Sequence, residues 1–156
     1  MKHLLSVISI FLILFSSIDS NAQLKEIIIG VDGFTCSLCA KGVEGQFKAL
    51  DFVRSVKTDL KNTQFTIALK DNSTVNLKDI SEAVTDGGFT VREIIVEGNG
   101  KISSIENGAY SVITGNSTVL KLHSVKDELL MEDNVNFKGK LSEDAKSVTV
   151  TEIRKI

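Results

Sequence analysis

The sequence predicts an α+β protein in which a βαββαβ segment from Leu24 to Val96 precedes a run of short strands with one helical turn among them. Three observations carry this expectation. Four stretches before Gly98 are β-branched or alternate apolar and polar residues. Two stretches between them repeat apolar residues at helical spacing. Beyond Gly98-Asn99-Gly100 the composition shifts to short strands, broken by one helical turn.

The first element, LKEIIIGV from Leu24 to Val31, is rich in β-branched residues and reads as a strand. Cys39, Val43, Phe47 and Leu50 then form one apolar stripe, which predicts a helix from about Ser37 to Leu50. Val56, Thr58 and Leu60 alternate, as do Phe65, Ile67 and Leu69, with Lys61-Asn62 between them, so this pair is a hairpin. Leu77, Ile80, Ala83 and Val84 make a second helical stripe, stopped by Gly87-Gly88, and Phe89 to Val96 is a fourth strand. This order closes into a ferredoxin-like sandwich of four antiparallel strands backed by two helices. After the Gly-Asn-Gly stretch, read as a linker, strands are expected at Lys101 to Ile105, Ala109 to Thr114 and Thr118 to His123, joined by Asn-Gly and Gly-Asn turns. A helical turn at Ser124 to Met131 and strands at Asn134 to Leu141 and Ser147 to Ile153 complete the chain. Five strands with a helical insertion after the third is the plan of a small all-β, OB-like barrel.

At the N-terminus Lys2 and His3 precede an apolar run from Leu4 to Phe15, a polar stretch and Ala22, which together read as a secretory signal peptide. The run is shorter than the roughly 20 residues a membrane-spanning helix needs, so no stable span is expected after cleavage. The expected organisation is therefore a signal peptide at 1–22, a first domain at 23–97 and a small β domain at 98–156, in an exported protein that is periplasmic or secreted. Cleavage after Ala22 leaves 134 residues and keeps the net charge at −2. Basic residues are scattered, with no stripe for nucleic acid. The mature chain holds one histidine, His123, and one methionine, Met131, which excludes histidine-rich zinc, methionine-rich copper and multi-histidine catalytic centres.

Chemistry concentrates in VDGFTCSLCAKGV, Val31 to Val43, which contains both cysteines. An exported pair would by default be oxidised. A Cys36–Cys39 bond, however, closes so short a loop that it constrains the unfolded chain little. Thiol redox exchange in a thioredoxin-like fold is disfavoured, because the chain has no proline to face the pair and the element order differs. Metal binding is the preferred reading. Thiolates select soft ions, and two of them three residues apart, one in the loop and one in the first helical turn, can meet at one ion. Helix amides near Cys39 favour the deprotonated form that binds.

With Gly33-Phe34-Thr35-Cys36-Ser37-Leu38-Cys39 in the first strand-to-helix loop, the chain resembles the heavy-metal-associated domain of copper chaperones, copper-exporting ATPases and periplasmic mercury-binding proteins. The resemblance covers Leu24 to Val96 and implies that Cys36 and Cys39 are the two metal thiolates. Phe34 stands where the family usually has a core methionine, and Leu38 where it has a small or polar residue. Gly88-Phe89 falls where the family has Gly-Tyr or a lysine near the metal loop.

The resulting expectation is an exported, non-enzymatic carrier that captures Cu(I), ahead of Hg(II) or Zn(II), through Cys36 and Cys39. It would pass the ion by thiolate exchange to or from a metal-donating or metal-accepting protein. The alternative is a secreted protein-interaction module whose Cys36–Cys39 pair is structural or redox-active. Other residues receive plainer readings: Asp32 as a loop-turn acceptor, Gly42 and Gly45 as sites of close helix packing, His123 as a strand residue and Met131 as core.

Overall fold

The computed structural model describes residues 22–33, 36–106, 109–115, 118–126 and 128–156. The expected signal peptide, apart from Ala22, lies outside the described residues. So do Phe34, Thr35, the Asn107-Gly108 turn and Asn116.

The elements are β1 Leu24–Asp32, α1 Ser37–Lys48, β2 Val53–Asp59, β3 Gln64–Leu69, α2 Leu77–Thr85, β4 Thr90–Glu106, β5 Ala109–Thr114, β6 Thr118–His123, β7 Asn134–Leu141 and β8 Ser147–Lys155. Strands β2, β3, β1 and β4 pair antiparallel in that order, with Ile28 opposite Thr66 on one side and Ile95 on the other. The expected βαββαβ sandwich follows from which side chains point inward. Ala40, Val43 and Phe47 of α1 and Leu77, Ile80, Ala83 and Val84 of α2 are buried. They share one core with Ile27, Ile29, Val31, Phe65, Ile67, Leu69, Ile94 and Val96 of the sheet. Phe47 meets Phe65 edge to face, ring centroids 5.3 Å apart, the arrangement aromatic quadrupoles favour. Asn76 caps α2 by accepting from the Lys78 amide.

The linker expected at Gly98-Asn99-Gly100 is not a break. Strand β4 runs through it for 17 residues. The glycines answer to crowding instead. On one edge of β4, β1 pairs along Thr90–Gly98 and β5 along Lys101–Glu106, so two strands abut where the glycines lie. A Cβ on Gly98 would stand 2.7 Å from the Gln23 carbonyl oxygen, and one on Gly100 would stand 2.2 Å from Val112 Cγ2.

On the other edge, β7 pairs with Ile95–Lys101 of β4. Successive pairings β4–β5, β5–β6, β6–β8, β8–β7 and β7–β4 therefore return to their starting strand, with β6 and β8 parallel and the rest antiparallel. Ile102, Val112, Leu120, Leu122, Val135, Phe137, Leu141 and Val148 fill the interior, continuous with the first core. The expected helical turn at Ser124 to Met131 is absent among the described residues. Met131 is 50% exposed and not core, because it lies in a turn with Glu132 while Leu129 is buried and Val125 packs against the core.

Candidate metal site

The site begins where β1 ends. Gly33 turns the chain at φ +103, a conformation costly for residues with a Cβ, and that missing Cβ would lie 3.6 Å from the Phe89 ring. The Gly88-Phe89 pair thus lies beside the loop, as the resemblance implied. Gly88 itself takes φ +80 just beyond α2.

Cys36 is the N-cap of α1. Its extended backbone lets Sγ accept from the Cys39 amide at 3.1 Å, while its carbonyl accepts from the Ala40 amide at 3.2 Å. Sulfur therefore does the work that a serine or aspartate oxygen usually does at this position. The first turn of α1 carries no acidic residue, so its positive end is left for the sulfurs. Cys36 is exposed and Cys39 half-buried against the core. The two are joined by a disulfide, with Cα atoms 5.4 Å apart. The sequence reading preferred metal ligands to a bridge. Capping explains why both are accessible to one pair: the turn that would bring two thiolates onto one ion also brings two sulfurs within bonding reach.

Among the described residues no group of three or more histidine, cysteine, aspartate or glutamate side chains converges anywhere. Asp32 is an acceptor, but not of a turn amide: its Oδ1 takes a hydrogen bond from Arg92 Nη1 at 2.7 Å. The same guanidinium donates to Thr63 Oγ1 at 2.9 Å and to the Asn62 carbonyl at 3.0 Å, and the Val31 amide donates to the Thr63 carbonyl at 2.9 Å. Arg92 crosses directly over Gly30, where a Cβ would come within 2.8 Å of Nη2. It ties the end of β1 to the β2–β3 turn, at the base of the cysteine loop. Sequence reasoning missed this residue, because its partners lie 60 and about 30 positions away.

Helix α1 is held to the sheet beneath the site. Glu44 accepts from Thr58 Oγ1 at 2.7 Å and from Lys48. Hydrogen bonds from Lys48 and then Thr58 hold its carboxyl below the usual glutamate range. Leu38, between the cysteines, points outward and is 77% exposed. His123 is an exposed residue of β6, as expected, and Met131 is exposed on another segment; neither sits on the elements that carry the sulfurs. Gly42 and Gly45 do not pack closely. A Cβ on either would meet nothing within 4 Å.

Comparison with known proteins places similarity on this half. The family model described as "Heavy-metal-associated domain" matches residues 28–90, ending at the first residue of β4. "Copper chaperone CopZ" of Staphylococcus aureus (strain bovine RF122 / ET3-1) is 31% identical over 64 residues, covering 41% of this chain and 93% of that protein. The protein of the same name from Staphylococcus haemolyticus (strain JCSC1435) is 31% identical over 65 residues, covering 42% and 94%. A solved structure titled "CopZ metallochaperone" is 30% identical, with a TM-score of 0.40, covering 42% of this chain and 97% of that one.

Proposed function

The chain belongs to the heavy-metal-associated domain family, and from that premise we propose that it is a carrier of a soft metal ion, Cu(I) above Hg(II) or Zn(II), held by Cys36 and Cys39. The observation that carries this reading is the placement of the two sulfurs. One caps α1 and the other lies in its first turn, and the Cys39 amide donates to Cys36 Sγ. The copper-chaperone names of the relatives at 31% identity support copper as the cargo.

In this reading an external dithiol first reduces the Cys36–Cys39 bond, itself becoming a disulfide, and frees the two thiols. They lose their protons as the ion binds, and the Cys39 amide stabilises the charge that gathers on Cys36 Sγ. Two sulfur ligands leave the ion open to a third, so a thiolate of a donor or acceptor protein can add before a Cys36 or Cys39 sulfur departs. The exchange itself moves no electron, and in this reading the protein acts as carrier and not as enzyme. The exposed Cys36 is the ligand positioned to leave first, and the half-buried Cys39 the one to hold.

Export to the periplasm or beyond rests on the N-terminal leader read from the sequence. Among the described residues no helix is long and apolar enough to cross a membrane. We also propose that residues 23–97 act as the metal unit and 98–156 as a small OB-like barrel that engages a partner. The closed ring of β4, β5, β6, β8 and β7, with its single parallel pair, supports the barrel reading. The two units would share β4 and have no linker between them.

The test is a competition titration of the reduced mature chain against a soluble Cu(I) chelator. One ion per chain is expected. Cys36→Ser and Cys39→Ser should each cost more than the roughly 10–100-fold that changes outside the ligand shell cost, because the chain has no third cysteine to take the place of either. Near-native affinity in both single variants would remove the site from this loop.

A further inference from the structure

The outer face of the sheet carries a second polar site that the metal chemistry does not use. Where β1, β4, β7 and β8 lie side by side, a groove of about 310 Å³ opens, within the size range of small-molecule pockets. Cross-strand pairing builds it in two rows. Asn99, Asn136 and Arg154 face one another across β4, β7 and β8, and Glu97, Lys138 and Glu152 form the next row. Lys25 closes the β1 side.

Two features of this groove call for an occupant. Among the described residues, the buried side-chain oxygens or nitrogens that lack a hydrogen-bond partner are Asn99 Oδ1 and Asn136 Oδ1, and both belong to this groove. A buried polar atom left unpaired costs about 1–3 kcal/mol, so two on opposed strands in one groove are not neutral. The charges are also incompletely matched. Lys138 pairs with Glu97 at 3.2 Å, whereas Lys25, Arg154 and Glu152 enter no ion pair among the described residues.

We propose that this groove binds a small zwitterion of the α-amino-acid class. With the two carboxamides turned into the groove, its ammonium would donate to Asn99 Oδ1, Asn136 Oδ1 and the Glu152 carboxylate, and its carboxylate would accept from Arg154 and Lys25. A bare metal cation fits poorly beside two unpaired cationic side chains. A simple anion would leave both carboxamide oxygens unmet.

The experiment is an NMR titration of the isotopically labelled mature chain with glycine and with L-alanine, following the side-chain amide resonances of Asn99 and Asn136. Acetate and methylammonium serve as half-ligands. Saturable shifts of both amides by the amino acids are expected, with each half-ligand at least about tenfold weaker because it meets only half of the site. Arg154→Met and Lys25→Met, both at exposed positions and so compatible with folding, should each weaken glycine binding about tenfold and leave Cu(I) affinity unchanged. The proposal is overturned if neither amino acid gives a saturable shift, if acetate binds as tightly as glycine, or if both substitutions leave glycine binding unaltered.

Discussion

Gly100→Ala distinguishes a strand that runs through Gly98-Asn99-Gly100 from a linker placed there. In a linker or an open strand, exchanging glycine for alanine removes backbone freedom from the unfolded chain and stabilises by about 0.5–1 kcal/mol. In this structure the added methyl would stand 2.2 Å from Val112 Cγ2 and 2.8 Å from the Ile113 carbonyl oxygen. Carbon atoms pack at about 3.5–4.0 Å, so β4 and β5 would have to separate by more than the neighbouring side chain can absorb. Overpacking of this kind costs about 1–3 kcal/mol, which exceeds the entropic gain and reverses its sign. For a chain of this size that lowers Tm by roughly 3–10 °C, and urea unfolding should show a lower midpoint at an unchanged slope. Because Val112 is the nearest obstacle, Gly100→Ala combined with Val112→Ala should be less destabilising than the sum of the two single changes. Cu(I) affinity should not move, since Gly100 lies beyond Gly98, which pairs with Leu24 at the end of β1 remote from the cysteine loop, and β5 joins β4 only from Lys101 onward. A Tm equal to or above that of the unsubstituted chain would refute the close approach of β4 and β5.

The disulfide sets a second expectation: oxidised protein should take up no Cu(I), and a thiol-free reductant should restore about one ion per chain, read by the same chelator competition. Gly42→Ala and Gly45→Ala should each raise stability by about 0.5–1 kcal/mol in urea unfolding, because both glycines lie inside α1 with open space around them. Glu44 gives a pH dependence. Its folded-state carboxyl is held low, chiefly by Lys48 and then by Thr58, so it contributes stability above its unfolded value and loses it as pH falls through the folded one. Glu44→Gln should therefore show a shallower loss of urea midpoint between about pH 5 and about pH 3 than the unsubstituted chain, and equal slopes would remove Glu44 from that account.

What the sequence disclosed and what it hid divide by range. The stripe of Val43 and Phe47, the alternation of Phe65, Ile67 and Leu69, and the boundaries of β5, β6 and β7 were legible because each arises from neighbours a few residues apart. The cysteine pair was legible for the same reason. The role of Gly98 and Gly100 was not: Gly-Asn-Gly reads locally as a turn, and only the meeting of β1 with β5 on one edge of β4 makes the missing Cβ atoms a packing requirement. Arg92 carries no local signature, because the groups it joins come together only after β1, β3 and β4 have paired. Met131 misled because LLM is apolar throughout, while the turn at Met131-Glu132, closed by the Asp133 amide on the Leu130 carbonyl, leaves Leu130 and Met131 outside and Leu129 buried.

The shared strand also decides how the second half stands toward the sulfurs. Along β4, Thr90 lies opposite Asp32, next to the cysteine loop, and Gly98 lies opposite Leu24 at the far end of β1. Those eight steps span about 26 Å at the usual strand rise. Strand β7 pairs with β4 only from Ile95 onward, and β5 only from Lys101 onward. The second half therefore caps the end of the sheet remote from Cys36 and covers that part of the β4 edge, which would otherwise present unpaired amides and carbonyls to other chains. The Thr90 end is left to the loop, Phe89 and the β2–β3 turn. Under the proposed carrier function a partner could reach the sulfurs there without displacing β5 to β8, so the second half would influence transfer through partner binding or along β4, and not by shielding the ion.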